Sequence, residues 1–324
     1  MDQRAPLVSI GLPTYNGGRH LAQSLDALLA QDYPNWELTI SDNGSTDETE
    51  SIAREYAARC PQIRYVRQEK NLGARANFNF VLGRATGEYF MWASDHDLWK
   101  PTFITKCVEA LRSDPAAVLA YTTVVIVDEK GDTLEEVDDG IDFRRCSAAT
   151  RYNKMLWAYA SKVYGLSRRE AMAATGGFSE TLSPDRLVLV QLALLGDIKK
   201  VDGRLYSARR NRSPETSDET RLRTIKDLDP ARASELSAKP GPVLYRDLRD
   251  KCMQLIAHSR LSPASRLHAR LATLYVFHMR YHVPSNLVRV LRGIAMATRQ
   301  VARLERAFGK VALGAAESTR LGRA

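Results

Sequence analysis

The chain alternates short apolar runs with stretches whose large apolar residues recur at helical spacing. Leu7-Val8-Ser9-Ile10-Gly11-Leu12 reads as a first strand, ended by Pro13-Thr14-Tyr15-Asn16-Gly17-Gly18. Leu21, Leu25, Leu28 and Leu29 then share one helical face, and Asp32-Tyr33-Pro34 stops that helix. Trp36-Glu37-Leu38-Thr39-Ile40 is a second strand, closed by Ser41-Asp42-Asn43-Gly44-Ser45-Thr46-Asp47. Thr46 or Asp47 is the expected cap of a helix running to about Cys60. Ile63-Arg64-Tyr65-Val66 is a third strand, and Asn71-Leu72-Gly73 turns into a helix reaching about Arg84. Tyr89-Phe90-Met91-Trp92 then forms a central apolar strand that runs straight into Asp95-His96-Asp97. Strands alternating with helices of this length predict a parallel α/β sheet, with polar strand ends gathered at one edge.

The second half is less regular. Pro101 opens a helix to about Arg112, and residues 117–127 form a long β-branched strand. Glu135, Glu136, Asp138, Asp139 and Asp142 make an acidic loop, read as a solvated surface segment. A strand is expected around Val163-Tyr164-Gly165-Leu166, a buried helix over residues 187–195 and a last strand over residues 204–210. Residues 211–241, rich in Ser, Pro, Asp, Glu and Arg, read as a mobile loop or linker. The expected organisation is a sheet domain over 1–212, a linker over 213–242 and a helical region over 243–324.

Composition changes the picture mainly through charge. The net charge is +9, but residues 243–324 hold 15 Lys+Arg against 4 Asp+Glu, which leaves 32 against 34 for the rest. A near-neutral body with a basic tail suggests an anionic partner for the tail. From residue 284 onward, Arg289, Arg292, Arg299, Arg303 and Arg306 fall within one sector of a helical wheel, with Leu287, Leu291, Ile294, Val301 and Phe308 opposite. Such a helix either lies on an anionic membrane surface or packs on the body with its arginines solvated. No aromatic platform stands among those arginines, so nucleic acid is not the expected partner. The four cysteines are scattered and form no Cys-x-x-Cys pair, which argues against a zinc site or a disulfide scaffold. There is no apolar signal core at the N-terminus and no run of about 18 apolar residues. The expected location is cytoplasmic, peripheral at the inner face of the cell membrane if the tail binds lipid.

Two carboxylates spaced i, i+2 after a buried strand suit a hard divalent cation such as Mg²⁺ or Mn²⁺. Residues 8–16, the Ser41–Asp47 loop, Asn71-x-Gly73-x-Arg75, Asp95-His96-Asp97 and Gly176-Gly177-Phe178 stand in an order that resembles family 2 glycosyltransferases. That resemblance covers roughly residues 6–212. It implies a GT-A fold, a Rossmann-like, mostly parallel sheet flanked by helices, with the basic helical region appended. It implies transfer of a sugar from a nucleotide diphosphate sugar to a hydroxyl on a glycan or lipid-linked acceptor, with inversion and with Mn²⁺ or Mg²⁺; the alternatives are a non-catalytic module that binds nucleotide sugar or membrane, and a sugar nucleotidyltransferase, whose Gly-rich phosphate loop Pro13-Thr14-Tyr15-Asn16 does not supply. By the same resemblance, Pro13, Thr14 and Asn16 line the nucleoside pocket and Asp42 reads the base. Arg75 and Arg210 lie toward the diphosphate, Asp95 lies near the ribose, and Asp97 is the more direct metal ligand, with Asp95 beside it. His96 is expected to point away from the metal. Asp185 is the candidate general base and Glu180 its rival. Turn and cap roles are the alternatives for Asp42 and Asp185, and a solvated helix face is the alternative for Arg75.

Overall fold

A computed structural model describes residues 5–210 and 217–282. The first half follows the expected alternation: β1 (Val8–Thr14), α1 (Gly18–Leu29), β2 (Trp36–Asp42), α2 (Thr49–Arg59), β3 (Ile63–Arg67), α3 (Ala74–Arg84) and β4 (Tyr89–Trp92). The second half runs β5 (Leu98–Trp99), α4 (Phe103–Arg112), β6 (Ala117–Val127), β7 (Thr133–Val137), α5 (Ala148–Trp157), β8 (Leu166–Arg168), α6 (Arg169–Ala174), α7 (Pro184–Leu195) and β9 (Asp197–Arg209). From residue 217 onward the described chain is helical: α8 (Ser217–Leu228), α9 (Ala233–Ser237), α10 (Gly241–His258) and α11 (Pro263–Arg280).

The sheet order is β3-β2-β1-β4-β8-β6-β9-β5, with β7 on β6. Strands β3, β2, β1 and β4 are mutually parallel, as alternation with helices demands. Strand β8 enters antiparallel between β4 and β6 and makes the sheet mixed. Apolar faces are buried on both sides of the sheet. Leu21, Leu25 and Leu28 of α1 pack with Ile10, Leu38 and Ile40 on one side. On the other, Phe90 and Trp92 pack with α5, α7, α10 and α11. Trp92 is fully buried, and a side chain of that kind contributes about 1.5–3 kcal/mol by its burial.

Several expectations of the second half are corrected. Residues 160–164 form a 3₁₀ turn, and the strand there is the short β8. Helix α5 was not anticipated; Ser147 caps it by accepting from the Thr150 N–H at 3.2 Å. The last strand starts at Asp197, well before the expected position. The acidic stretch is not simply solvated. Asp139 is buried against Lys162, Asp138 pairs with Lys200 at 2.5 Å, and Glu136 pairs with Arg204 at 2.7 Å.

The described part of the expected linker is helical. Ile225 of α8 is 2% exposed and seats this polar helix on the body. Helices α10 and α11 are no loose appendage either: Leu248, Cys252, Ile256, Val276 and Phe277 join the same core as α5 and α7. Tyr152 meets Thr273 through a 2.8 Å hydroxyl pair inside it. The arginine stripe at 289–306 lies outside the described residues. Among the described residues, no helix is long and apolar enough to cross a membrane.

Candidate active site

Strands β1 and β2 end together, Thr14 in register with Asp42. Asn77 of α3 ties those ends, donating from Nδ2 to the Thr14 and Ser41 carbonyls at 3.2 and 2.9 Å. Its Oδ1 accepts from Ser41 Oγ at 2.6 Å. Asn16 adopts a left-handed φ of 52°, which asparagine tolerates, and its Oδ1 accepts from the Thr46 N–H at 2.8 Å. The loops after β1 and β2 are thereby stitched into one rim. Pro13 is buried in the strand end, whereas Asn16 and Tyr15 are exposed on the rim.

Asp42 is fully buried and thoroughly engaged. Its Oδ1 accepts from the Ser45 N–H at 2.8 Å, the turn bond of the plainer reading. Its Oδ2 accepts from Tyr65 Oη and Arg67 Nη1, both at 2.8 Å. Arg67 stands beside Asp42 in the β2–β3 register, so the pairing follows from strand alignment. Burial, then the Asp42 bond, pushes the Tyr65 hydroxyl up to about 12. Sequence reading missed both partners, because only the register reveals them.

The Asp95-His96-Asp97 segment leaves β4 just past the sheet edge. Asp95 is partly open; its Oδ2 accepts from Thr14 Oγ1 at 2.6 Å and its Oδ1 lies 2.7 Å from His96 Nδ1. Gly17 is required beside it, since a Cβ there would stand 2.3 Å from Asp95 Oδ2. His96 does not point elsewhere: its ring lies between the two acids, 2.7 Å from Asp95 and 3.8 Å from Asp97.

Asp97 is 3% exposed and turned inward. Strand β5 pairs antiparallel with β9, which brings Tyr206 Oη within 2.6 Å of its Oδ2 and the Arg209 N–H within 2.9 Å of its Oδ1. Burial raises the Asp97 pKa against the opposing pull of His96 and these bonds. Of the two carboxylates, Asp95 is therefore the more open.

Arg209 holds the same corner. Its guanidinium donates to the His96 carbonyl at 2.9 Å, to Gln23 Oε1 at 2.7 Å and to the Glu129 carbonyl. Arg210, the residue expected near the diphosphate, faces the other way and pairs with Glu135 on β7. Alternation along β9 puts the neighbouring arginine at the site instead. His20, on the first turn of α1, is buried close to Arg209 and His96, and neither ring nitrogen has a partner among the described residues.

The loop carrying the candidate base docks through an asparagine. Asn79 of α3 gives Phe178 a paired bond: Oδ1 accepts its N–H at 2.8 Å and Nδ2 donates to its carbonyl at 2.9 Å. The Phe178 ring stacks on Phe78 at 4.5 Å and packs against Trp92 at 5.0 Å. Gly177 fits this clasp because a Cβ would lie 2.3 Å from Asn79 Oδ1.

Asp185 follows on the first turn of α7, at whose N-cap stands Ser183. Its Oδ1 accepts from the Arg186 N–H at 2.7 Å. Burial raises its pKa, opposed by Arg186 and more weakly by Arg280. The Tyr164 hydroxyl is raised chiefly by its own burial and further by the charges of Asp97, Asp185 and Asp95. Glu180 is instead mostly exposed and shared by Arg75 and Arg232, each at 3.3 Å. Arg75 also meets Asp229 at 3.1 Å, so it is no free helix-face arginine.

Residues 9–169 match the profile of Glycosyl transferase family 2. Chondroitin synthase of Escherichia coli is 27% identical over 207 residues, which is 63% of this chain and 29% of that protein. The chain spans from about a fifth to about half of the length of the curated relatives it matches. Among solved structures, S. aureus TarS 1–349 in complex with UDP-GlcNAc superposes with a TM-score of 0.63 at 17% identity, covering 91% of this chain and 77% of that one. The mannosyltransferase PcManGT of Pyrobaculum calidifontis, in complex with GDP-Man and Mn²⁺, gives 0.50 at 19% identity over 99% of this chain and 89% of that one. These likenesses show the GT-A fold.

Proposed function

We propose that this chain, which belongs to glycosyl transferase family 2 through residues 9–169, moves a sugar from a nucleotide diphosphate sugar to an acceptor hydroxyl with inversion. The observation that carries this is the family match over residues 9–169 together with the Asp95-His96-Asp97 loop, which stands at the carboxyl ends of parallel β1, β2 and β4 with Asp95 bonded to Thr14. The Asp185 carboxylate takes the proton of the acceptor hydroxyl. That oxygen bonds to the anomeric carbon from the face opposite the nucleotide, and the bond to the diphosphate oxygen breaks. A base needs a pKa near the working pH, and burial moves Asp185 in that direction. Glu180 is disfavoured because two guanidiniums hold its charge.

The donor lies along the rim of Thr14, Asn16, Asp95 and Arg75, with Arg67, held in place by the buried Asp42, toward the base. Arg210 takes no part, being turned to Glu135. A divalent cation would be held at Asp95, a hard carboxylate and the less buried of the two acids, with diphosphate oxygens left to complete its shell. Bound there, Mn²⁺ or Mg²⁺ would neutralise charge on the leaving diphosphate. Asp97 sets the loop from behind. The Mn²⁺ in the mannosyltransferase complex supports divalent ion use here.

Because a ligand bound only to the native state raises apparent stability, UDP, GDP and dTDP sugars with Mn²⁺ should each be scored by melting temperature. One nucleotide should stabilise by several degrees, and more with metal than without. No shift with any of them would refute donor binding. The acceptor is proposed to be a glycan or lipid-linked saccharide of the cell envelope. The arginine stripe in the tail supports attachment to an anionic membrane, each arginine contributing about 1 kcal/mol near such a surface. Changing Arg292, Arg299 and Arg303 to Gln should weaken binding to anionic vesicles roughly a hundredfold at low salt. Failure of the wild-type protein to sediment with those vesicles would sink the membrane reading.

A further inference from the structure

Helix α5 ends inside the protein, and arginines close its end. The carbonyls of residues 155–158 follow the last one that an amide of the helix can reach, that of Lys154. Arg186 donates from Nη1 to the carbonyls of Met155, at 2.8 Å, and of Ala158. Arg280 donates from Nη1 to those of Leu156 and Trp157, at 3.3 and 3.0 Å. All four carbonyls thus accept from a guanidinium, two from each.

The two arginines arrive on different elements. Arg186 is 3% exposed and directly follows Asp185 on the first turn of α7. Arg280 is the last residue of α11. That helix end is fixed by rings: Tyr281 meets Tyr245 of α10 at 4.3 Å and the buried Phe277 at 5.0 Å. The start of α7, the end of α5 and the end of α11 therefore converge at one point.

Two guanidiniums brought together repel each other. A helix end offers only partial negative charge, about half an electron, and neutral donors would have satisfied the same carbonyls. The full negative charge on which both arginines act is the Asp185 carboxylate, which they draw toward its ionised form against its burial. Tyr164 and Tyr245, each raised chiefly by its own burial, also feel the Asp185 charge.

We propose that Arg280 is a positioning residue for the transfer reaction: by holding the end of α5 against the start of α7, it fixes where Asp185 stands. The proposal rests on Asp185 as the base in the reading above. It makes α10 and α11 part of the catalytic unit, although both lie beyond the stretch matched to the family.

A double-mutant cycle in the full chain tests it by melting temperature at neutral pH. Asp185→Asn removes the charge that Arg280 offsets, so its gain in melting temperature should be larger in an Arg280→Gln background than in the wild type. A clamp that merely closes α5 makes the two substitutions additive. Release of UDP from UDP-GlcNAc with Mn²⁺ is the second readout. Arg280→Gln should lower kcat roughly ten- to a hundredfold, the cost of a misplaced group, while the melting shift with UDP stays as in the wild type. Its acid limb should move to higher pH, because a favourable cation is gone from Asp185. Arg280→Lys should leave the limb in place and lose part of kcat, since a flexible ammonium replaces a planar guanidinium. Additivity in the cycle with an unmoved acid limb would overturn the proposal. Should Arg280→Gln melt too early to assay, the lysine variant decides, and wild-type kcat in it overturns the proposal equally. If UDP shifts no melting curve of the wild type, the transferase reading has failed first, and coupling in the cycle marks Arg280 and Asp185 as a structural pair only.

Discussion

Asp185→Asn should slow transfer roughly 10²–10⁴-fold while leaving stabilisation by UDP intact. The amide keeps the shape and the acceptor oxygen for the Arg186 N–H, but it cannot take a proton. The same carboxyl should govern the acid limb of the rate profile. Its folded pKa is raised by burial, so wild-type activity should decline as pH falls through that raised value. The variant's residual rate should lack this limb. Stability should move oppositely. A carboxyl whose pKa is raised on folding favours the folded state at low pH, and that contribution is lost as pH rises through the folded pKa. At neutral pH the asparagine variant should therefore melt higher than wild type, and the advantage should disappear in acid. Rates and melting curves from acid to neutral pH check both statements. Full-speed transfer by Asp185→Asn, with loss in Glu180→Gln, would move the base to Glu180.

The second large effect separates two acids that the sequence presents as a pair. Asp95→Ala should abolish the metal-dependent part of the UDP melting shift and cut transfer roughly 10²–10³-fold, the scale of one lost electrostatic stabiliser. The fold should survive, because Asp95 is at the rim. Asp97→Ala should act first on the fold. It strands the Tyr206 hydroxyl and the Arg209 N–H in the interior, and each buried unsatisfied donor costs about 1–3 kcal/mol. Denaturant unfolding of both variants, with and without UDP and Mn²⁺, distinguishes them. If Asp97→Ala keeps wild-type stability yet loses the metal response, the expected order of ligands returns and the inward turn of Asp97 means nothing for the cation.

The parallel half of the fold was legible because each strand carries its own signal. The runs at 8–12 and 36–40 alternate large apolar residues with small or polar ones, 89–92 is apolar throughout, and nearly every position is buried because helices cover the sheet. The motif positions were legible too, but their orientation was not. Asp95 and Asp97 look equivalent in sequence; only the β5–β9 pairing, joining residues more than a hundred positions apart, turns one inward. Arg209 and Arg210 differ solely in strand phase, which one-residue uncertainty in the strand erases. Helix α8 escaped notice because its composition is polar, with Ile225 its buried apolar residue among the described side chains. Tyr65 and Arg67 needed the β2–β3 register before either could be linked to Asp42.

The clasp of Arg75 by Asp229 joins residues 154 positions apart, and Arg209 reaches Gln23 across 186. Contacts of such range are the last to be rewarded during folding, since each must first overcome the entropy of closing its loop. On a ribosome, the sheet edge with Thr14 and Asp95 can form long before α8 has emerged. Until then, the chain exposes an ordered sheet edge without its C-terminal helices. Nascent chains halted before residue 229 should thus display native sheet structure without the Arg75 clasp. Competence would arrive late and abruptly, set by the clock of synthesis as much as by the strength of any one bond.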